Sequence, residues 1–350
     1  MIFRLANGAY YENMSEEQGR AAAEIVKSKI PAVGLVYWDY YSEDKEHYNG
    51  NLRAHKAISD NVWFAGGCWN WVGYAPLNAR SLKTSFPAMR AAKENNIKNI
   101  VITVWGDDGG ESSRFSVLPS LFYCKKVYDG EIDMGVIKRE FKRITGENFD
   151  DMMKLDLPNY AYGNDGSVAN ACKYMLFADP FCGFTDSSVD IECEKVFVEI
   201  AKALAKVQSA HYGELFAEES KLCEILALKC TLGIRLRAAY RANDKAELVR
   251  LAKRIKLIVK KTEEFYSVLR TRWLKENKPF GWEVQDIRIG GLIMRLKSCG
   301  KRLENYLAGG KEIEELSEDV LDYYEDGKCG KRSLTLNCWG WNVSVNRLSF

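Results

Sequence analysis

At 350 residues, with 47% hydrophobic and 28% charged side chains, the chain has an ordinary globular composition and the length of one large domain or two average ones. Lysine and arginine number 50 against 48 aspartates and glutamates, a formal net charge of +2. That balance excludes recruitment of nucleic acid or of an anionic membrane surface by bulk charge.

The first ~130 residues alternate strand-like and helix-like segments at a period of roughly 30 residues, the pattern of βαβ units. Ile2–Leu5 is a short apolar run, and Ser15-Glu16-Glu17-Gln18 opens a helix that continues to about Lys29. Pro31 ends that helix, and Val33–Tyr37 reads as the next strand. A charged helix follows from Glu43 to Ile58, then a strand at Val62–Ala65 that runs into Gly66-Gly67. Ser81–Asn95 is a helix, Asn99–Val104 a strand, and Phe115–Tyr128 a helix. The count is about four βα units, half of the eight in a closed barrel.

Beyond residue 150 the pattern changes to long helices: Asp186–His211, Ala217–Arg241, Lys245–Arg272 and Arg288–Ala308. Leu248, Leu251, Ile255, Ile258 and Val259 show the three-to-four-residue rhythm of one buried face. The tail, Ser333–Phe350, alternates Leu334, Leu336 and Cys338 and reads as β-like.

No apolar run is long enough to span a bilayer, and residues 1–20 show no secretion signal. Ten cysteines occur without a C-x-x-C pair, beside only three histidines. The expectation is a cytoplasmic protein with reduced thiols, no metal site and no cofactor. Cys68 and Cys338, next to tryptophans, read as small core residues, and His47, His55 and His211 as surface or packing residues.

Three successive strands end in aromatic side chains: Tyr37-Trp38-Asp39-Tyr40-Tyr41, Cys68-Trp69-Asn70-Trp71, and Trp105-Gly106-Asp107-Asp108-Gly109-Gly110-Glu111. In two of them an acid follows at i+2, on the same side of an extended backbone (Tyr37 and Asp39, Trp105 and Asp107). Aromatic faces beside carboxylates suit a sugar ring, whose C–H face stacks while its hydroxyls need acceptors. The alternative is a set of buried tryptophans followed by glycine turns with solvated acids. Asp107, Asp108 and Glu111 could instead serve as hard oxygen ligands for a cation, or Asp39 and Glu111 as an acid/base pair. Lys278–Arg288 reads as a helix–helix connection with a buried Trp282, or as a loop contributing to the site.

The runs Trp105–Glu111 (W-G-D-D-G-G-E), Tyr37–Asp39 (Y-W-D) and Gly66–Trp71 (G-G-C-W-N-W) resemble the closing strands of the catalytic barrel of glycoside hydrolase family 20, the β-N-acetylhexosaminidases. The resemblance is closest to the branch with a helical domain after the barrel. It implies an α/β fold of the (β/α)8 TIM-barrel type, represented by the second half of the barrel over 1–130. An α-helical domain over 131–332 and the β-like tail over 333–350 follow.

The implied activity is exo-removal of terminal N-acetylglucosamine or N-acetylgalactosamine. It is a retaining, substrate-assisted hydrolysis in which the substrate's own acetamido carbonyl attacks the anomeric carbon. By resemblance, Tyr37 positions that carbonyl and Asp39 holds a sugar hydroxyl. Trp69 or Trp71 walls the acetamido pocket, and Trp105 forms the base of the sugar subsite. Asp107 stands where the family commonly has a longer glutamate. The family's catalytic Asp-Glu pair has no counterpart in this sequence, so a missing N-terminal half or a second chain is expected to complete the barrel. The competing expectation is a non-catalytic carbohydrate-binding or scaffold protein derived from the same fold.

Overall fold

The computed structural model describes residues 16–161, 171–183, 186 and 189–319. The chain forms two compact units. Among the described residues, the first comprises 16–69, then Leu77–Trp105 and Val117–Met152; the second comprises Asn70–Pro76, Gly106–Ser116 and those from Met153 to 319. The first unit therefore runs past residue 130, because the helix after that point packs back onto its predecessor. The expected strand at Ile2–Leu5 and the β-like tail at 333–350 lie outside the described residues.

In the first unit, α1 (Glu16–Lys27), β1 (Leu35–Trp38), α2 (Lys45–Ile58), β2 (Val62–Gly67), α3 (Asn78–Glu94), β3 (Asn99–Thr103), α4 (Leu118–Asp129) and α5 (Met134–Thr145) follow one another. Asp44 caps α2 by accepting from the Glu46 N–H at 3.0 Å, and Asp133 caps α5 through the Gly135 N–H at 2.7 Å. Phe122 of α4 meets Phe141 of α5 edge to face, which joins α5 to this unit.

The described strands form one parallel sheet in the order β1-β2-β3. Sequential order matters physically. Right-handed crossovers that never reverse direction put every connecting helix on the same face of the sheet. Ala22, Ala23 and Val26 of α1 pack with Leu35 of β1 and with Ala54 and Ile58 of α2. Tyr37, Val62 and Phe64 are buried on that covered face.

The register places Val36 beside Trp63, and Trp38 beside Ala65 and Val101, on the opposite face. There Val36 is 53% exposed, Trp38 54%, Trp63 37% and Val101 42%. Parallel sheets are ordinarily covered on both faces. This one carries an open apolar face.

The second unit is helical: α7 (Leu157–Tyr160, after the short boundary helix α6, Phe149–Met153), α8 (Ala171–Phe177), α9 (Cys193–Ala205), α10 (Gly213–Lys229), α11 (Leu232–Arg241), α12 (Lys245–Glu276), α13 (Trp282–Leu307) and α14 (Glu314–Ser317). Its core is built from Phe197 and Leu204 of α9, Leu222 and Leu226 of α10, Leu248, Ile255 and Ile258 of α12, and Leu296 and Leu303 of α13. The single helix expected over 217–241 is two helices. The break falls at Thr231, whose hydroxyl donates to the Glu194 carboxylate, which Arg235 and Arg254 also grip at 2.9 and 2.6 Å. No helix among the described residues is long and apolar enough to cross a membrane.

The asymmetry of the sheet is testable. Phe64→Ala, on the covered face, should lower unfolding stability by about 3–5 kcal/mol in urea titrations. Trp63→Ser, one residue earlier on the open face, should cost clearly less, about 1 kcal/mol.

Candidate functional site

The C-terminal ends of β1, β2 and β3 gather the aromatic residues of the first unit. Trp38 lies against Trp105 with ring centroids 5.1 Å apart and planes 20° from parallel. Alternation explains the pairing: Trp38 is in register with Val101, and Thr103 and Trp105 continue on the same side. The Trp105 indole N–H is buried without an acceptor among the described residues. Tyr40 leaves the same edge and lies over Gly67, where an added Cβ would come within 2.8 Å of the ring. Any side chain at Gly67 would displace it.

On the covered side, Tyr37 packs against Tyr48, His55 and Phe64, at centroid separations of 6.3, 5.2 and 5.7 Å. Its hydroxyl donates to Asp39 Oδ2 at 2.8 Å, and His47 Nε2 meets the same oxygen at 2.6 Å. The Tyr41 N–H donates to Asp39 Oδ1 at 2.9 Å. Burial and the Asp39 charge push the nearby Tyr48 hydroxyl well above its ordinary value. Trp69 is 1% exposed; Tyr40 and Tyr41 meet it edge-on, and Arg80 lies 5.0 Å above its ring.

These positions correct the expectation of one shared rim. Tyr37 and Asp39 do meet, but on the covered side of the sheet, whereas Trp105 pairs with Trp38 on the open side. Trp69 is enclosed by aromatic neighbours and presents no face. Trp71 is buried and belongs to the helical unit. Asp107 is exposed and begins a 3-10 turn in the segment assigned to that unit. Two residues of this neighbourhood are absent from the sequence-based candidates. Trp38 carries a usable signal, since strand alternation sets it on the face opposite Tyr37. His47 carries only the weak one that it lies eight residues beyond Asp39, at the start of the next helix.

Glu111 is neither a cation ligand nor an acid/base partner of Asp39. Its carboxylate is 1% exposed and held by Lys173 Nζ at 2.7 Å and Arg288 Nη1 at 3.1 Å, all within the helical unit. Arg272, also 1% exposed, donates to the Glu111 carbonyl at 2.5 Å and grips both Glu218 oxygens at 2.7 and 2.8 Å. Gln285 donates to the Gly109 carbonyl at 3.2 Å, and Ser113 to Glu276 at 2.8 Å. Gly109 has φ +110°, and an added Cβ would stand 2.6 Å from Arg288. This segment is a buried anchor rather than a cation loop, and no metal-ligand cluster occurs among the described residues. In Lys278–Arg288, Trp282 is buried against Trp273, and Phe280 is 85% exposed.

Residues 147–335, over half of the chain, match the glycoside hydrolase 20C C-terminal domain. The chain belongs to that family. Among solved structures it is similar to a GH138 enzyme targeting pectin rhamnogalacturonan II, at 9% identity and a TM-score of 0.39. That similarity covers 83% of this chain and 65% of the other, so the chain spans less than two-thirds of that protein. No curated protein matches. The glycoside hydrolase 20C domain contains Lys173, Glu218, Arg272 and Arg288, while Glu111 and the aromatic sheet edge precede it.

Glu111→Gln should destabilise the protein by about 3–5 kcal/mol in urea unfolding, because it removes the buried negative charge that Lys173 and Arg288 share. A second test uses the buried Glu219, whose pKa is pushed well above the carboxylate range by burial and by the charges of Glu218 and Asp156. Above an unfolded value near ~4.3, the unfolded chain has released a proton that the folded chain retains, so stability falls as pH rises toward the raised value. Glu219→Gln should flatten that dependence in unfolding curves collected from pH 4 to pH 8.

Proposed function

We propose that the open aromatic edge of the sheet is a sugar-binding surface of a β-N-acetylhexosaminidase-type glycoside hydrolase. The observation that carries the reading is the Trp38–Trp105 stack at the C-terminal edge of a singly wound parallel sheet. Trp38 keeps more than half of its surface exposed there. Barrel enzymes of this topology place their chemistry at that edge, and the bare face is read as the inner wall of a (β/α)8 barrel that further strands complete. Family membership supports the hydrolase class.

In this reading Trp38 and Trp105 supply the apolar platform. Tyr37 and Asp39, which hydrogen-bond each other on the covered side of the sheet, are not part of that platform. The domain reading (barrel portion over 1–130, helical domain over 131–332) and the expected second polypeptide belong to the same proposal. So does the cytoplasmic location, which rests on the cysteine pattern; the eight described cysteines are free thiols.

A second reading, binding without hydrolysis, is favoured by how the acids are engaged. Asp39 is shared by Tyr37 and His47, and Glu111 is neutralised by Lys173 and Arg288. No adjacent Asp-Glu pair stands at a strand end among the described residues. N-acetylglucosamine should change the intrinsic tryptophan fluorescence of the chain. Trp38→Ala and Trp105→Ala should each weaken that binding about tenfold, roughly 1.4 kcal/mol. A chromogenic N-acetylglucosaminide should bind without turnover. Turnover at enzymatic rates selects hydrolysis by this chain, and absence of any binding removes both readings.

A further inference from the structure

The helices of the first unit enclose a surface groove of about 510 Å³, a size that suits a small molecule. Its apolar lining comes from α3, where Leu82, Phe86 and Pro87 recur at the spacing of one helix face. Tyr123 of α4 also lines it, while Glu43 and Lys45 reach it from either side of the Asp44 cap of α2. Tyr123 is 8% exposed, yet its hydroxyl has no hydrogen-bond partner among the described residues. A phenol so deeply placed ordinarily finds one. Burial raises its pKa above the ordinary phenol value, so at neutral pH this hydroxyl is a donor awaiting an acceptor.

The charges around the groove are unequally matched. Lys45 is engaged, its Nζ lying 3.0 Å from each oxygen of Glu94. Arg90 stands over the Phe86 ring at 5.8 Å and comes no nearer to Glu94 than 3.8 Å. Lys83 is exposed and has no ionic partner among the described residues. Glu43 is the acid of the lining, so Lys83 and Arg90 together leave a positive excess.

We propose that this groove binds a small carboxylate with an apolar body. The body lies against Leu82, Phe86 and Pro87, and the carboxylate accepts from the Tyr123 hydroxyl while pairing with Lys83 and Arg90. A carboxylate suits the set because its two oxygens accept from several donors at once, and bonds to a charged acceptor are the stronger ones. A neutral apolar ligand would leave the phenol and the cations unanswered. A polyphosphate would be opposed by Glu43. The inference is independent of the sugar-binding reading, since Trp38 and Trp105 lie on the other face of the sheet.

The test is isothermal titration calorimetry of the full chain with 4-phenylbutyrate at low ionic strength. The dissociation constant should be on the order of 1 mM, an ordinary strength for a ligand of that size. 4-Phenylbutanol, the same body without the charge, should bind about tenfold more weakly. Tyr123→Phe keeps the ring and removes the donor, and should weaken 4-phenylbutyrate about tenfold, the loss of one hydrogen bond to a charged group. Lys83→Glu should weaken it at least about threefold, as reversal of an exposed charge predicts. Trp63→Ser, on the open face of the sheet, should leave the affinity unchanged.

Equal binding of the acid and the alcohol overturns the proposal, as does an affinity unmoved by Tyr123→Phe. Loss of binding in Trp63→Ser overturns it too, because the ligand would then sit on the sheet. So does the absence of any 4-phenylbutyrate signal in saturation-transfer NMR at millimolar concentration. Should Tyr123→Phe fail to fold, Lys83→Glu decides, since an exposed, unpaired side chain can be exchanged without touching the core; unchanged affinity in that variant overturns the proposal.

Discussion

The structure depends on a constraint of connectivity. A parallel sheet wound in one direction by right-handed crossovers receives all of its helices on one side. In this chain that side is filled by Tyr37, Val62 and Phe64 packing with their neighbours, and the other is left with Val36, Trp38, Trp63 and Val101 in solvent. Every feature of the candidate site follows from which face a residue occupies. Tyr37 and Asp39 serve the covered side and are drawn into hydrogen bonds with α2. Trp38 and Trp105 serve the open side and stack on each other.

Strand positions were legible because each is a short β-branched or aromatic run bounded by glycine, proline or asparagine. Val62–Gly67 and Asn99–Thr103 fall where the sequence places strands, and the change to long helices after residue 150 is likewise visible in apolar spacing. What alternation within one strand does not disclose is the phase between strands. Tyr37 and Trp105 both end strands, yet the register pairs Tyr37 with Phe64 and Ile100 while Trp105 continues the line of Val101 and Thr103. The helix break at Thr231 was hidden for a related reason: local periodicity continues through it, and the interrupting interaction is with Glu194, far away in sequence.

Glu111 shows the same limit for charge. Read locally, it is one of three acids after a glycine turn and suits a cation or catalysis. Its role is decided by Lys173 and Arg288, both remote in sequence and both buried with it. The desolvation cost of such groups is offset only when every partner is in place, and here the Arg272 guanidinium and the Gln285 amide hold the backbone of the same segment as well. The segment after β3 is thus fixed within the helical unit, by residues that the glycoside hydrolase 20C domain supplies. Its acid is structural, not a reacting group.

The uncovered sheet face also bears on colloidal behaviour. Apolar rings left in water are adhesive toward any similar surface, and mutual repulsion between molecules grows with net charge. At a formal charge of +2 that repulsion is slight. Crowding copies of the chain together therefore favours indiscriminate sticking through this face, and the protein's solubility is tied to whatever occupies it.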